Sequence, residues 1–426
     1  MKVKKLNIDT YNHLENLSFD FTYPDGHKNA GKPLNQICIV GQSATGKTNI
    51  LELIKSNFSK LDSIDVINDK YIFKNFELEF GGCIEYEHEN FSLVIKNDVI
   101  IRNGNEIRNV SNSSGSLSRL VNVDLKLLYF SSELISKEAV NIFNQNPISI
   151  LDILGDKNQS IPIKFDNSNF VYEFLQSIEP TIWFSLLYKI LDYRKRFTQM
   201  ASELINTGSI GDINKLNKRY TRWAEGNENP LLAFAKYFDP ILSKLNLQID
   251  LVNTEYSIPI KSKVSDEVIP ISSLSTGTKG LLLSMFPLFE LNTSNSIILL
   301  DEPERSLFPD MQIDLISNYR TIAPEAQFIV ATHSPFIAAA FEPEERFILY
   351  FDNQGKVAVR RGESPIGDDP NDMLSNDFNV NYYNEFGKQA YQKYIDLKTK
   401  VSKETQPAKK KELLVELVKL GDKYNF

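Results

Sequence analysis

The chain has 426 residues, 42 % hydrophobic and 24 % charged, the balance of a globular protein large enough for more than one domain. Its net charge of −8 excludes a uniformly basic, nucleic-acid-coating surface, so any such binding needs a local patch. Two cysteines, Cys38 and Cys83, argue against a disulfide framework or a cysteine-built zinc centre and fit a reducing cytoplasm.

The opening stretch alternates apolar and polar residues through Leu6, Ile8, Leu14, Leu17, Phe19 and Phe21, which predicts two strands and lacks the apolar centre of a signal peptide. A polar loop leads to an apolar strand over Ile37–Val40. Helical spacing follows from Asn49 to Leu61, then alternating runs, YIFKNFELEF and IEYEHENFSLVIK, over 71–110. LKLLYFS, 125–131, reads as a buried strand.

Between 156 and 261 the character changes. FVYEFLQ, IWFSLLYKILDYRKRFTQMASELI and NPLLAFAKYFDPILSKL read as helices of a compact insertion, with no heptad sustained long enough for a coiled coil. Strand patterns resume at LQIDLV. RFILYFDNQGKVAVRR reads as a hairpin turning near Asn353–Gly355, residues 362–380 as loop, and the tail from 385 as lysine-rich helix with Leu413, Leu414, Leu417, Val418 and Leu420 on one side. No apolar run approaches the roughly 20 residues of a membrane span. The nearest, Gly280–Leu291, contains Pro287. We therefore expect a cytoplasmic protein with no membrane association.

The chemistry is concentrated in four places. GQSATGKT fits G-x-x-x-x-G-K-[ST] between an apolar strand and a helix. Its backbone, from Gly41 through Ser43, Ala44, Thr45 and Gly46 to Lys47, Thr48 and Asn49, can curl amide N–H groups around phosphate oxygens. A helix start adds its positive end, Lys47 a point charge and Thr48 a hydroxyl for Mg²⁺. SIILLDE, 296–302, reads as a buried parallel strand that carries two carboxylates to its C-terminal edge, where such sheets bind ligands. Asp301 is placed to hold Mg²⁺ through its hydration shell, and Glu302 to orient or deprotonate an attacking water. QFIVATHSPF repeats the design one strand further on, ending in Thr332, His333 and Ser334. His333 could reach the γ-phosphate or the water. Lys47, Glu302 and His333 are the candidate catalytic residues, with a nucleoside triphosphate and Mg²⁺ as ligands. In ISSLSTGTKGLLL, 271–283, Ser275, Thr276 and Gly277 open a second helix start of phosphate-reading character, or simply an N-capped core helix.

LSTGTK resembles the signature motif of ABC-type ATPases. Together with GQSATGKT, LLDEPE and ATHSP, the order and spacing resemble the ATPase heads of the SMC, RecF and OLD families over 1–155 and 262–350. The resemblance implies an α/β P-loop ATPase head, with a mixed central sheet flanked by helices, an antiparallel β-subdomain and a helical insertion. The expected divisions are an N-lobe at 1–155, the insertion at 156–261, a C-lobe at 262–362 and a loop with helical tail at 363–426. It further implies that Ser275 and Gly277 close over nucleotide held by a second copy, so the working unit is a homodimer or larger. DEPERSLFPDMQ is similar to a form common in the OLD-like and defence-associated branch, with Phe308 where that pattern has histidine. The Mg²⁺-contacting glutamine of the family has no counterpart in LKLLYFSSELIS.

OLD nucleases carry a further acidic nuclease domain. Here Asp368, Asp369, Asp372 and Asp377 read instead as a solvated acidic turn. The resemblance therefore points to a separate nuclease or other effector subunit, as in the Septu type of antiphage system. The runner-up is a RecF/SMC-like DNA-binding clamp acting without a toxic partner. For DNA or RNA, the candidate surface mixes Tyr193–Phe197 with Lys218, Arg219, Tyr220, Arg222 and Trp223. These residues read equally as solvated helix faces over core aromatics.

Overall fold

The computed structural model describes residues 1–61, 64–67, 70–73, 80–96, 99–106, 125–134, 170–174, 180–208, 211–253, 256, 258–380 and 385–424. In chain order the N-terminal part contains β1 (Lys2–Tyr11), β2 (Leu14–Asp20), β3 (Gln36–Gly41), α1 (Lys47–Lys60), β4 (Ile64–Ile67), β5 (Lys70–Phe73), β6 (Gly81–His88), β7 (Phe91–Lys96), β8 (Val99–Arg102), β9 (Asn105–Glu106), β10 (Lys126–Phe130) and β11 (Val171–Phe174). Then follow α2 (Pro180–Asn206), α3 (Ile213–Glu225), α4 (Pro230–Ser243), β12 (Leu247–Ile249), β13 (Ile260–Ser262), β14 (Val268–Ile269) and α5 (Thr276–Glu290). The remainder comprises β15 (Ser296–Asp301), α6 (Pro309–Ile313), α7 (Leu315–Ile322), β16 (Gln327–Thr332), α8 (Pro335–Ala338), β17 (Arg346–Phe351), β18 (Val357–Arg361), α9 (Pro370–Asn376), α10 (Glu385–Lys403) and α11 (Pro407–Tyr424).

A seven-stranded sheet in the order β11-β10-β15-β16-β3-β17-β18 organises the molecule. All its neighbours run parallel except β17 and β18. β3, β15 and β16 are buried along their whole length. This is why their sequences read as nearly continuous apolar runs rather than alternations. Successive side chains serve opposite faces. Ile37, Ile39, Leu299 and Ile329 join one core, with α1 and the six-stranded antiparallel sheet β2-β1-β6-β7-β8-β9. Cys38, Val40, Ile298, Leu300 and Val330 join the other, with α2, α4, α5 and α7. Phe234 and Phe238 of α4 stack at 3.9 Å between ring centres, and Phe286 of α5 meets Phe234 edge-on at 4.7 Å. Helices α2 and α4 thus share a core with α5, α7 and one face of the sheet.

Four expectations change. Of FVYEFLQ, the described part is not helical: Val171–Phe174 forms the edge strand β11, paired in parallel with Leu127–Phe130, and 175–176 lie outside the described residues. Its aromatic and β-branched residues suit a pleated surface, and Phe174 stacks on Phe130 at 4.5 Å. Residues 362–380 are not all loop. Asp369 accepts from the amide of Asn371 and caps α9, with Pro370 at its first position. Asp377 is not solvated: it and Arg346 are both fully buried, with Nε 2.9 Å from Oδ2. Its Oδ1 also accepts from the amide of Glu363. Asp369 and Asp372 remain exposed. Finally, the tail's apolar residues divide between two sides of α11. Leu413, Leu417 and Leu420 are half-buried, whereas Leu414 and Val418 are 42 % and 57 % exposed. Part of YIFKNFELEF lies outside the described residues. Among those described, no helix is long and apolar enough to cross a membrane.

Candidate functional site

The parallel order sets the ends of β15, β16 and β3 side by side. Asp301 pairs with Ala331, and Thr332 with Val40, one step before Gly41. Three of the four chemical motifs therefore meet at one sheet edge.

The loop after β3 is built on tight backbone. A Cβ at Gly41 would meet Leu349 O and Thr45 Oγ1, each at 2.7 Å. Ala44 and Gly46 take φ of 66° and 88°. Thr45 Oγ1 donates to Gln42 O at 2.8 Å and pins the turn. Ser43 and Ala44 lie exposed on its crest, and Asn49 is half-buried in the first turn of α1. That helix starts from Gly46 with no side-chain cap, so its first amides are left for another acceptor, a role an anion would fill. Lys47 is only 6 % exposed, and its Nζ donates to Gly41 O at 2.9 Å and Gln42 O at 3.1 Å. Thr48 Oγ1 lies 3.1 Å from both carboxylate oxygens of Asp301, joining the helix start to the end of β15.

Burial governs the charges here. It raises the Asp301 carboxyl to about 6, with the Thr48 hydrogen bond opposing and Glu302 adding repulsion. Burial lowers Lys47 to about 8, against the attraction of Glu302, Asp301 and Glu304. Burial and the Lys47 charge also lower His333, with Glu302 opposing, so its imidazole is neutral at pH 7. The Asp301 shift costs stability as pH climbs from 3.8 to about 6, and the cost persists above that. The Lys47 cost is fully present below about 8 and fades toward 10.5. At pH 7 both are in force. A divalent cation beside Asp301 and a phosphate beside Lys47 would relieve them.

Glu302 has φ 46°, a left-handed conformation that costs about 1 kcal/mol or more for a side-chain-bearing residue. Its amide still donates to Ala331 O at 2.9 Å, while its Oε1 lies 3.3 Å from His333 Nε2. A cavity of about 30 Å³, room for one water, opens beside it, lined in part by Ser131, Ser132, Gly277, Ser284, Asp301 and Glu302.

Two contributors fall at fixed positions of the form that DEPERSLFPDMQ resembles, but had no role assigned. Glu304 Oε1 accepts from Thr332 Oγ1 at 2.6 Å and from the His333 amide at 3.0 Å. Gln312 accepts from Ser334 Oγ at 2.6 Å and donates to Leu307 O at 2.8 Å. The only signal for either was a third carboxylate and a glutamine in DEPERSLFPDMQ.

Ser275 caps α5: its Oγ accepts from the Thr278 amide at 3.2 Å. Ser275 and Thr276 are exposed and Gly277 is buried. A Cβ on Gly277 would meet Ser306 O at 2.2 Å, so glycine is needed there for close packing within one chain. Among the described residues no hydrogen bond links these three to Gly41–Asn49.

For metal, the described residues contain no group of three or more His, Cys, Asp or Glu able to hold an ion. One hydroxyl and one carboxylate, Thr48 and Asp301, suit Mg²⁺, which keeps waters and takes phosphate oxygens as further ligands. A glycine-rich loop opening a helix at Lys47, an acidic strand end and a histidine on one sheet edge have the arrangement of a P-loop ATPase. Residues 1–338 match the family described as AAA ATPase domain, and the chain belongs to that family. Lys47, Ser275, Asp301, Glu302 and His333 all fall inside the match. Similar solved structures include the Smc head bound to the C-winged-helix domain of ScpA, with 13 % identity and TM-score 0.42, covering 85 % of this chain and 97 % of that one. A second is the Smc head with an extended coiled coil bound to the C-terminal domain of ScpA, from Pyrococcus furiosus, with 14 % identity and TM-score 0.40, covering 84 % and 96 %. A third is the SMC head domain from Thermotoga maritima, with 13 % identity and TM-score 0.41, covering 85 % and 100 %.

Proposed function

We propose that this ATPase is Mg²⁺-dependent, that two copies close head to head on ATP, and that the cycle gates a separate effector chain, a nuclease, in bacterial defence against phage. The observation that carries the catalytic part is the meeting of Lys47, Thr48, Asp301, Glu302 and His333 at one sheet edge. Lys47 and the α1 amides hold the phosphates. Thr48 and Asp301 would hold Mg²⁺, which would supply charge stabilisation to the triphosphate. Glu302 orients the attacking water and accepts its proton, and His333 Nε2 donates to the γ-phosphate or the water. Ser275, exposed at the start of α5, supports a contact to the triphosphate of a second copy. Phe308, 76 % exposed on the loop after Glu302, supports a subunit contact there. The effector rests on the similarity to defence ATPases.

A DNA-binding clamp is the second reading. It is favoured by α3, which buries no residue and carries Lys215, Lys218, Arg219 and Arg222. Within the mixed patch, however, Arg194 donates to the carbonyls of Tyr256 and Asn253, and Arg196 pairs with Asp192. Tyr193 and Phe197 pack on Trp223. Stimulation of turnover by DNA alone would support the clamp.

The test is metal removal. With Mg²⁺, ATP at a hundredfold excess over Kd should stabilise the chain by about 3 kcal/mol and be hydrolysed. EDTA should abolish turnover and most of the thermal shift. Equal turnover with and without the metal would count against the reading.

A further inference from the structure

We propose that Glu304 is a positioning residue that braces His333 against the acidic-strand loop, acting through one carboxyl oxygen as a hydrogen-bond acceptor rather than through its charge. The inference rests on the proposed ATPase role of His333.

The geometry is a closed set of hydrogen bonds between two loops. Glu304 Oε1 takes the Thr332 hydroxyl at 2.6 Å and the His333 amide at 3.0 Å. Thr332 Oγ1 in turn accepts from the Ser334 amide at 2.9 Å. Ser334 Oγ reaches Gln312, which holds Leu307 O. Residues 332–334 are thus tied at both ends to the segment 304–312. Glu304 lies three residues past Asp301 and two past Glu302, so the same segment carries the carboxylates and the brace.

Only one oxygen of Glu304 takes part. Oε2 is buried and has no hydrogen-bond partner. The charged and titratable groups that act on it are Glu302 on its own segment, Lys47 from α1, Cys38 from β3 and, through its amide, His333. Among these Lys47 is the cation, and it lies against Gly41 and Gln42. Among the described residues neither oxygen of Glu304 is paired with a cation, and Lys47 feels its charge only at a distance. Glu304 instead offers one acceptor to two donors, which an amide oxygen can also do. The consequence is positional. His333 Nε2 stands 3.3 Å from Glu302 Oε1 because its main chain is fixed from below. Releasing it would let the imidazole drift from the reacting atoms, for which a displacement of about 1 Å can cost about 10²-fold in rate.

The experiment uses the full chain and three variants: Glu304→Ala, Glu304→Gln and Thr332→Val. Steady-state ATP turnover and hydrogen exchange of the 327–338 segment are measured for each. The alanine variant is expected to lose about 10²-fold in kcat with little change in KM, and its His333 and Ser334 amides should exchange faster. The glutamine variant is expected to recover most of the lost kcat and the protection. The valine variant, which keeps the Glu304–His333 bond, should fall between them. Alanine turnover at the parent level, or a glutamine variant as slow and as unprotected as alanine, would overturn the proposal. A parent chain without ATP turnover would instead remove the catalytic reading of His333, and parent-level exchange in the alanine variant would remove the brace independently.

Discussion

Replacing Lys47 with alanine is expected to weaken ATP binding by about 10²-fold or more. Lys47 is the cation at the cradle, and a hydrogen bond to a charged partner is worth about 1.5–3 kcal/mol each. Its Nζ already stands against Gly41 O and Gln42 O, within the loop proposed to hold the phosphates. The depressed pKa sharpens this. A buried ammonium held short of solvent gains more from a phosphate than an exposed one does, because its desolvation has already occurred on folding. Titration calorimetry with a non-hydrolysable ATP analogue checks the prediction. Unaltered affinity in a folded variant would mean that the triphosphate lies elsewhere.

Glu302→Gln should separate binding from chemistry. The amide is nearly isosteric and can still accept from His333 Nε2 at the observed 3.3 Å, so the cleft keeps its shape. It cannot take a proton from water. Turnover is expected to fall by about 10²–10⁴-fold, with ATP affinity kept or improved. Because reopening depends on hydrolysis in the proposed cycle, the variant should accumulate as the closed, ATP-bound assembly in size-exclusion runs with Mg²⁺. Turnover near the parent rate would remove Glu302 from the chemistry.

The cradle and the two polar strand ends were legible because their physics is local. A phosphate loop needs glycines within eight residues of its lysine, and a buried parallel strand needs an apolar run before its terminal charges. Gly41–Thr48, Asp301 and His333 could be located from such windows alone. Their meeting followed from the parallel order of β15, β16 and β3. Other features depend on partners far along the chain. Asp377 looked solvated because its own neighbours are polar, and nothing nearby announces Arg346 thirty-one positions earlier. β11 was misread because Phe170, Val171 and Phe174 also satisfy helical spacing, and four residues are too few to separate the two periods. α9 could have been found, since Asp369 and Pro370 are an N-cap and first-turn pair. Glu304 was hidden by the two carboxylates before it. Gly277 carried a motif and a packing role together, and only the approach of Ser306 O reveals the second.

The central claim is that each ATP is held by Lys47 of one copy and Ser275 of another, and a subunit-mixing experiment tests it most directly. Lys47→Ala and Ser275→Arg chains are each expected to be inactive alone. A mixed pair retains one site in which Lys47 and Ser275 are both native. An equimolar mixture should therefore regain up to about a quarter of the parental turnover, as random pairing of two-fold assemblies requires. A mixture no more active than its components, or a Ser275→Arg chain fully active on its own, would contradict the account.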